Sequence, residues 1–298
     1  MKELLWIQQQ CINMLNTLPL CEDQCKIGHY CLSHTCKECD CSRCLNHIHW
    51  NNLPAFHYEC ERITYYYILR FSNRFASEIT HFVNFFKIKE NSKINIVSLG
   101  CGPASEIFGF IKSIRMRGIN SILHFEGYDL KDVWQPVQEL TKVSLSKTGH
   151  YINFHTKDLF ADFSGFPNNE SFVLVLNYLL SDIAKFSSES DKQKFIDIIV
   201  DFICNYPVKG IFFNDIAFYG DVGELNSGVQ VMNQIILQLM EKKKIKTHYI
   251  YFPSNAKLGD EDWHVNKNNQ SLFTSLKGNP FMQNVEYCKS KQIFVQLA

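Results

Sequence analysis

Two groups of residues have types and spacings that could do chemistry. The first is the run Leu99-Gly100-Cys101-Gly102-Pro103-Ala104-Ser105-Glu106. Glycine admits left-handed backbone and lets a ligand approach the main chain, and the exposed N–H groups of a following helix can receive an acceptor such as a carboxylate. Acids follow at intervals: Asp129 closes Phe125-Glu126-Gly127-Tyr128-Asp129, and Asp158 precedes Leu159. A carboxylate at a strand end beside such a turn can accept hydrogen bonds from ribose hydroxyls.

The second group is a dense set of sulfur and imidazole side chains. Of the 12 cysteines, Cys21, Cys25, Cys31, Cys36, Cys39, Cys41, Cys44 and Cys60 crowd into one short stretch, with His29, His34, His47, His49 and His57 among them. In a reducing compartment disulfides do not persist, so close spacing of this kind reads as metal ligation. A Cys-x2-Cys pair reaches one tetrahedral ion, and zinc accepts mixed thiolate and imidazole ligands. The expected ligand set is Cys21, Cys25, Cys31, Cys36, Cys39, Cys41, Cys44, His47, His49 and Cys60, holding two or three structural zinc ions. Four cysteines could instead hold an iron–sulfur cluster, or the thiols could serve redox chemistry. Trp50, Phe56 and Tyr58 are expected to form the small core of this module, with stacking on nucleobases beside Lys37 and Arg43 as the alternative.

The elements that must position these groups follow from periodicity. Leu5, Ile12, Leu15 and Leu18 recur near helical spacing until Pro19. Between residues 61 and 86, Ile63, Tyr67, Phe71, Phe75, Ile79, Phe82 and Phe86 advance by three or four, which predicts one long helix, or two joined near Ser72-Asn73. Tyr65 and Tyr66 are expected to cover the edge of the following domain, or else to face a substrate. After Asn91-Ser92, strand-like stretches (93–99, 123–128, 151–156, 171–176, 209–214, 248–252 and 292–297) alternate with helix-like ones (105–117, 133–145, 191–204 and 229–244). This alternation predicts an α/β fold with a seven-stranded, doubly wound, mostly parallel sheet. The expected division is a helix and zinc module over 1–60, a helical connector over 61–91 and the α/β domain over 92–298.

Taken together, the glycine loop, the acid ending the second strand and the Asp158-Leu159 pair after the third resemble the class I S-adenosylmethionine-dependent methyltransferases. The resemblance covers roughly residues 92 to 298. It implies cofactor roles for Gly100, Gly102, Asp129 and Asp158, with Leu159 flanking the adenine and Leu99, Cys101, Glu106 and Asn177 completing the cofactor-binding set. It also places Asn177, Tyr178 and Asp182, after the fourth strand, where the acceptor is oriented, and it implies a last strand inserted antiparallel. Asn214 and Asp215 could contribute from the neighbouring strand end, although polar residues at strand ends often only satisfy backbone groups. Methyl transfer from positive sulfur is an in-line displacement, so alignment can supply much of the rate. A nicotinamide-binding domain would prefer G-x-G-x-x-G/A, and Ser105 stands at the third glycine's place. A turn that binds nothing is the remaining alternative. No Asn-Pro-Pro-aromatic motif and no Pro-Cys pair ends the fourth or fifth strand.

Thirty basic residues balance thirty acidic ones, which argues against gripping nucleic acid through bulk charge. Three glutamines interrupt the apolar start after Ile7, and the apolar runs fall far below the roughly 20 residues that span a bilayer. A cytoplasmic protein without a membrane partner is expected. The methyl acceptor is unidentified; layout favours RNA first and protein second, because a zinc module preceding a methyltransferase is similar to that of some ribosomal RNA methyltransferases. The alternative is a non-catalytic, methyltransferase-like adaptor that recruits a partner through zinc.

Overall fold

The computed structural model describes residues 1–18, 41, 44–45, 60–84, 87–130, 132–160, 166, 170–216, 227–242, 244–249 (side chains excepted for 246–249), 272–273, 276 and 290–297. Two helices come first, α1 (Lys2–Thr17) and α2 (Glu61–Val83). Next come β1 (Lys93–Leu99), α3 (Glu106–Met116), β2 (Ile122–Asp129), a 3-10 turn (Asp132–Trp134), α4 (Gln135–Leu145) and β3 (Tyr151–Thr156). The second half holds β4 (Phe172–Asn177), α5 (Leu180–Phe186), α6 (Glu189–Asn205), β5 (Val208–Ile216), α7 (Gly228–Glu241), β6 (Ile245–Tyr249) and β7 (Ser290–Leu297).

The strands hydrogen-bond in the order β3-β2-β1-β4-β5-β7-β6. Neighbours from β3 through to β5 are parallel, whereas β7 runs antiparallel to both β5 and β6. The chain winds outward from β1 through β2 to β3 and then returns to β4 on the other side of β1. In open α/β sheets, the crevice at such a reversal, beyond the carboxyl ends of the strands, is where ligands bind.

Alternation along each strand divides its side chains between two cores. Val97, Leu99, Leu174, Leu176, Ile211, Phe213, Ile293 and Val295 face α5, α6 and α7. Ile96, Val175 and Phe212 face the opposite way, toward a core built from α1, α2, α3 and α4. Because the central strands are covered on both sides, they read as near-continuous apolar runs.

α2 is one uninterrupted helix through Ser72-Asn73. Gln8 of α1 reaches both residues, donating to Ser72 Oγ at 3.1 Å and Asn73 Oδ1 at 2.9 Å. α2 then lies flush on α3. A Cβ at Gly109 would fall 2.6 Å from Ile79 Cβ and 2.7 Å from the Ala76 carbonyl, so only glycine permits the approach.

Some expected boundaries move. β6 starts at Ile245 because α7 ends at Glu241 rather than 244, and residues 250–252 lie outside the described set. α5 was not expected; at seven residues it is too short to establish a helical period. Tyr65 and Tyr66 are both buried, 2% and 4% exposed, Tyr65 in the core with α1 and α3 and Tyr66 in the cluster that holds Trp134.

Of the ten expected metal ligands, Cys21, Cys25, Cys31, Cys36, Cys39, His47 and His49 lie outside the described residues, as do Trp50, Phe56 and Tyr58. Cys41, Cys44 and Cys60 pack around one apolar cluster with Leu45, Ile63, Tyr66, Tyr67, Phe75 and Trp134. Among the described residues no three His, Cys, Asp or Glu side chains gather as a metal site, and no helix is long and apolar enough to cross a membrane.

Candidate functional site

The turn after β1 is shaped by left-handed backbone. Gly100 has φ +60° and Gly102 φ +48°, and Ala104 adopts φ +55° although it is not glycine. At Gly100 the positive φ favours glycine, and a Cβ there would also push against the Leu179 side chain, whose Cδ1 lies 2.5 Å from its position. The Cys101 N–H donates to the Tyr128 carbonyl at 3.1 Å and the Gly102 N–H to Asp129 Oδ2 at 2.8 Å, so the loop is tied to the end of β2. The Cys101 thiol is buried; burial first, then Asp129 and Glu106, raises its pKa well above the ordinary value and keeps it protonated. It is no nucleophile at neutral pH.

α3 starts with Glu106, buried under the loop. Ser98 Oγ donates to it at 2.6 Å and Asn177 Nδ2 at 3.2 Å. Burial pushes this carboxyl up to about 7, against the opposing pull of those hydrogen bonds. Ser105 Oγ, just before it, is buried and has no hydrogen-bond partner among the described residues. A buried hydroxyl in that state carries a desolvation cost that a ligand atom would relieve.

The loop forms one side of a cavity of about 330 Å³. Its lining includes Gly100, Cys101, Gly102, Ser105 and Glu106 of the loop and the start of α3, Asp129, Asp158 and Leu159 after β2 and β3, and Asn177, Tyr178 and Asp182 after β4. Asp158 Oδ1 accepts from the Phe160 N–H at 2.8 Å, which fixes the carboxylate at the start of its loop. Thus ten of the eleven expected cofactor and acceptor residues share one cavity. The eleventh, Leu99, is fully buried among the side chains facing α5, α6 and α7.

Asn214 and Asp215 are buried behind the cavity rather than lining it. Asn214 donates to Asn177 Oδ1 at 2.8 Å and accepts from Gln292 Nε2 at 3.0 Å. Asp215 accepts from the N–H groups of Ser181 at 2.9 Å and Ile216 at 2.6 Å, holding the start of α5 against β5. Burial raises its carboxyl to about 6.

Four aromatic residues of the lining are not singled out as functional by the sequence. Tyr67 and Phe75 of α2, Trp134 of the 3-10 turn and Phe186 of α5 all line the cavity. The Phe75 ring stacks on Tyr178 with centroids 4.0 Å apart, and Tyr67 meets Trp134 edge-on at 5.4 Å. Behind this wall, Glu78 accepts from Arg74 Nε at 2.9 Å and from the Tyr178 hydroxyl at 2.8 Å. Tyr178 sits at φ +56°, a costly conformation for an aromatic residue. The one sequence signal for Glu78 is its charge, between Phe75 and Phe82 on an otherwise apolar stripe.

No family model matches the sequence, and no curated protein matches it. Among solved structures the chain is similar to the plantazolicin methyltransferase BpumL in complex with SAH, at 9% identity over 98% of this chain and 99% of that one, TM-score 0.44. It is similar to magnesium protoporphyrin IX methyltransferase ChlM from Synechocystis PCC 6803 with bound SAM, at 8% identity over 86% and 91%, TM-score 0.38. A third likeness, to the bifunctional kinase-methyltransferase WbdD, has 10% identity, covers 75% of this chain and only 39% of that one, and gives a TM-score of 0.39. These likenesses are too distant to transfer a role to any residue.

Proposed function

We propose that this chain is an S-adenosylmethionine-dependent methyltransferase. One observation carries the reading: a glycine loop tied to Asp129 lies at the sheet's reversal point, in the wall of a cavity that also receives Asp158, Leu159 and the unpartnered Ser105 hydroxyl. The residues fit the group. Asp129, an acid at the end of β2 that lines the cavity, suits ribose hydroxyls, Asp158 and Leu159 flank the place for adenine, and Ser105 with the N–H groups at the start of α3 suits the amino-acid end. Bound there, the cofactor supplies a methyl group on positively charged sulfur. The chain's part is then to hold the acceptor in line and to exclude water, with the Trp134-Tyr67-Phe75-Tyr178 wall excluding water and Asn177 and Asp182 orienting the acceptor. A dinucleotide is less well served, because Ser105 occupies the place of the third glycine.

The cavity speaks against an RNA backbone as its occupant, since its lining carries Glu106, Asp129, Asp158 and Asp182 and, among the described residues, no lysine, arginine or histidine. The cysteine- and histidine-rich stretch is read as a structural zinc module on its spacing alone. Calorimetric titration of the full chain with S-adenosylmethionine tests the main reading; absence of binding by metal-replete protein would overturn it.

A further inference from the structure

From the charge and the aromatic lining of the cavity, we propose that the group methylated is an amine nitrogen borne next to an aromatic or apolar moiety, with Asp182 as the catalytic residue that receives its proton. The inference rests on the methyltransferase reading above. Four carboxylates line the cavity and no cationic side chain among the described residues offsets them there. Glu106 is engaged by Ser98 and Asn177, Asp129 by the Gly102 N–H, and Asp158 by the Phe160 N–H. Asp182 differs: it lines the cavity, and among the described residues its side chain makes no hydrogen bond or ion pair. It stands on the first turn of α5, close enough to Asp215 that the second acid raises its pKa; burial is the larger cause, and together they bring it to about 7. Nearby Lys185 opposes the shift without lining the cavity.

A negative, under-solvated pocket selects among acceptors. A carboxylate or phosphate oxygen would bring a further negative charge to these acids. A neutral hydroxyl gains little from them and, still protonated, is a poor nucleophile. An ammonium group gains both from the carboxylate and from the aromatic faces, here Tyr67, Phe75, Tyr178 and Phe186. The proton balance also closes. The ammonium gives one proton to the Asp182 carboxylate, and the neutral nitrogen uses its lone pair to form the new C–N bond. The C–S bond breaks with its electrons going to sulfur, leaving a thioether. The product is again an ammonium ion, and Asp182 returns its proton to water.

The test uses the full chain saturated with S-adenosylhomocysteine and three near-isosteric probes: benzylamine, benzyl alcohol and benzoate. Calorimetry should show benzylamine binding about tenfold or more tightly than either of the others. Asp182→Asn should erase that preference and Asp182→Glu should keep part of it, both with S-adenosylhomocysteine affinity within about twofold of the parent, which also shows that they fold. Equal binding of the three probes, or a preference that survives Asp182→Asn, overturns the amine assignment and leaves the cofactor site standing. Failure of the parent chain to bind S-adenosylhomocysteine overturns both.

Discussion

Tyr178 and Glu78 are joined by a 2.8 Å hydrogen bond although 100 residues separate them in the chain. Glu78 lies on α2, fully buried, and Tyr178 leaves β4 in left-handed backbone. The bond, with Arg74 bridging both side chains, holds the cavity wall in a conformation that Tyr178 would not adopt alone. Removing one member of such a buried charged set costs about 3–5 kcal/mol. Glu78→Leu should therefore lower the urea unfolding free energy by several kcal/mol, and Tyr178→Phe by about 1–3 kcal/mol. A Glu78→Leu loss below about 1 kcal/mol, the value of an exposed pair, would mean that Glu78 does not hold the wall.

Gly100→Ala tests the loop. The substitution adds about 1–2 kcal/mol of backbone strain at positive φ, before the contact with Leu179 is counted. S-adenosylmethionine affinity should fall by about tenfold or more, because relieving the strain and the Leu179 contact displaces the loop from the proposed cofactor site. Gly118→Ala is the control, because it shares a positive φ but meets nothing within 4 Å of the added carbon; it should cost stability and leave cofactor affinity alone.

Asp129→Ala removes a charged acceptor from Gly102 and from the proposed ribose site. Hydrogen bonds to charged groups contribute about 1.5–3 kcal/mol, so binding should weaken by about tenfold to a hundredfold in titration calorimetry. Unchanged binding would remove Asp129 from the cofactor site.

How much of this was legible in the sequence depends on which interactions fix each feature. The strand-helix alternation could be read because strands covered on both faces form short continuous apolar runs, whereas the helices between them keep an apolar period of 3.6. The loop and its acids could be read because left-handed backbone and strand ends restrict residue type locally. Tyr67 and Phe75 could not be assigned to a site, since they belong to the same apolar stripe as Ile63 and Phe82, and only the seating of α2 on α3 decides which members of the stripe reach the cavity. Asp215 looked like a site residue but binds backbone N–H groups, a choice that depends on where α5 begins.

Glu106 and Asp182 both titrate near 7 in the folded chain, against about 4 for free carboxyls. The folded state therefore binds their protons more tightly than the unfolded one. Their contribution to stability is fully present below pH about 4 and is lost as pH rises to about 7. Glu106→Gln should flatten that decline in a series of urea midpoints; a decline of unchanged steepness would show that burial does not raise this carboxyl. If Asp182 receives the acceptor's proton, transfer should also rise with pH through about 7.

If the cysteine-rich stretch holds zinc as proposed, metal analysis by mass spectrometry of protein purified without chelator should find two or three ions per chain. Fewer than one would remove the module.

Gln292 of β7 donates to the Glu78 carbonyl at 2.8 Å, across 214 residues, as well as to Asn214. A chain emerging from the ribosome therefore carries its glycine loop and α2 long before the side chain that pins α2 behind the cavity wall has been made. The loop side of the cavity can form before β7 exists, whereas the α2 side is pinned only once β7 is in place. A nascent chain is thus kept from presenting a finished cavity until the sheet has closed.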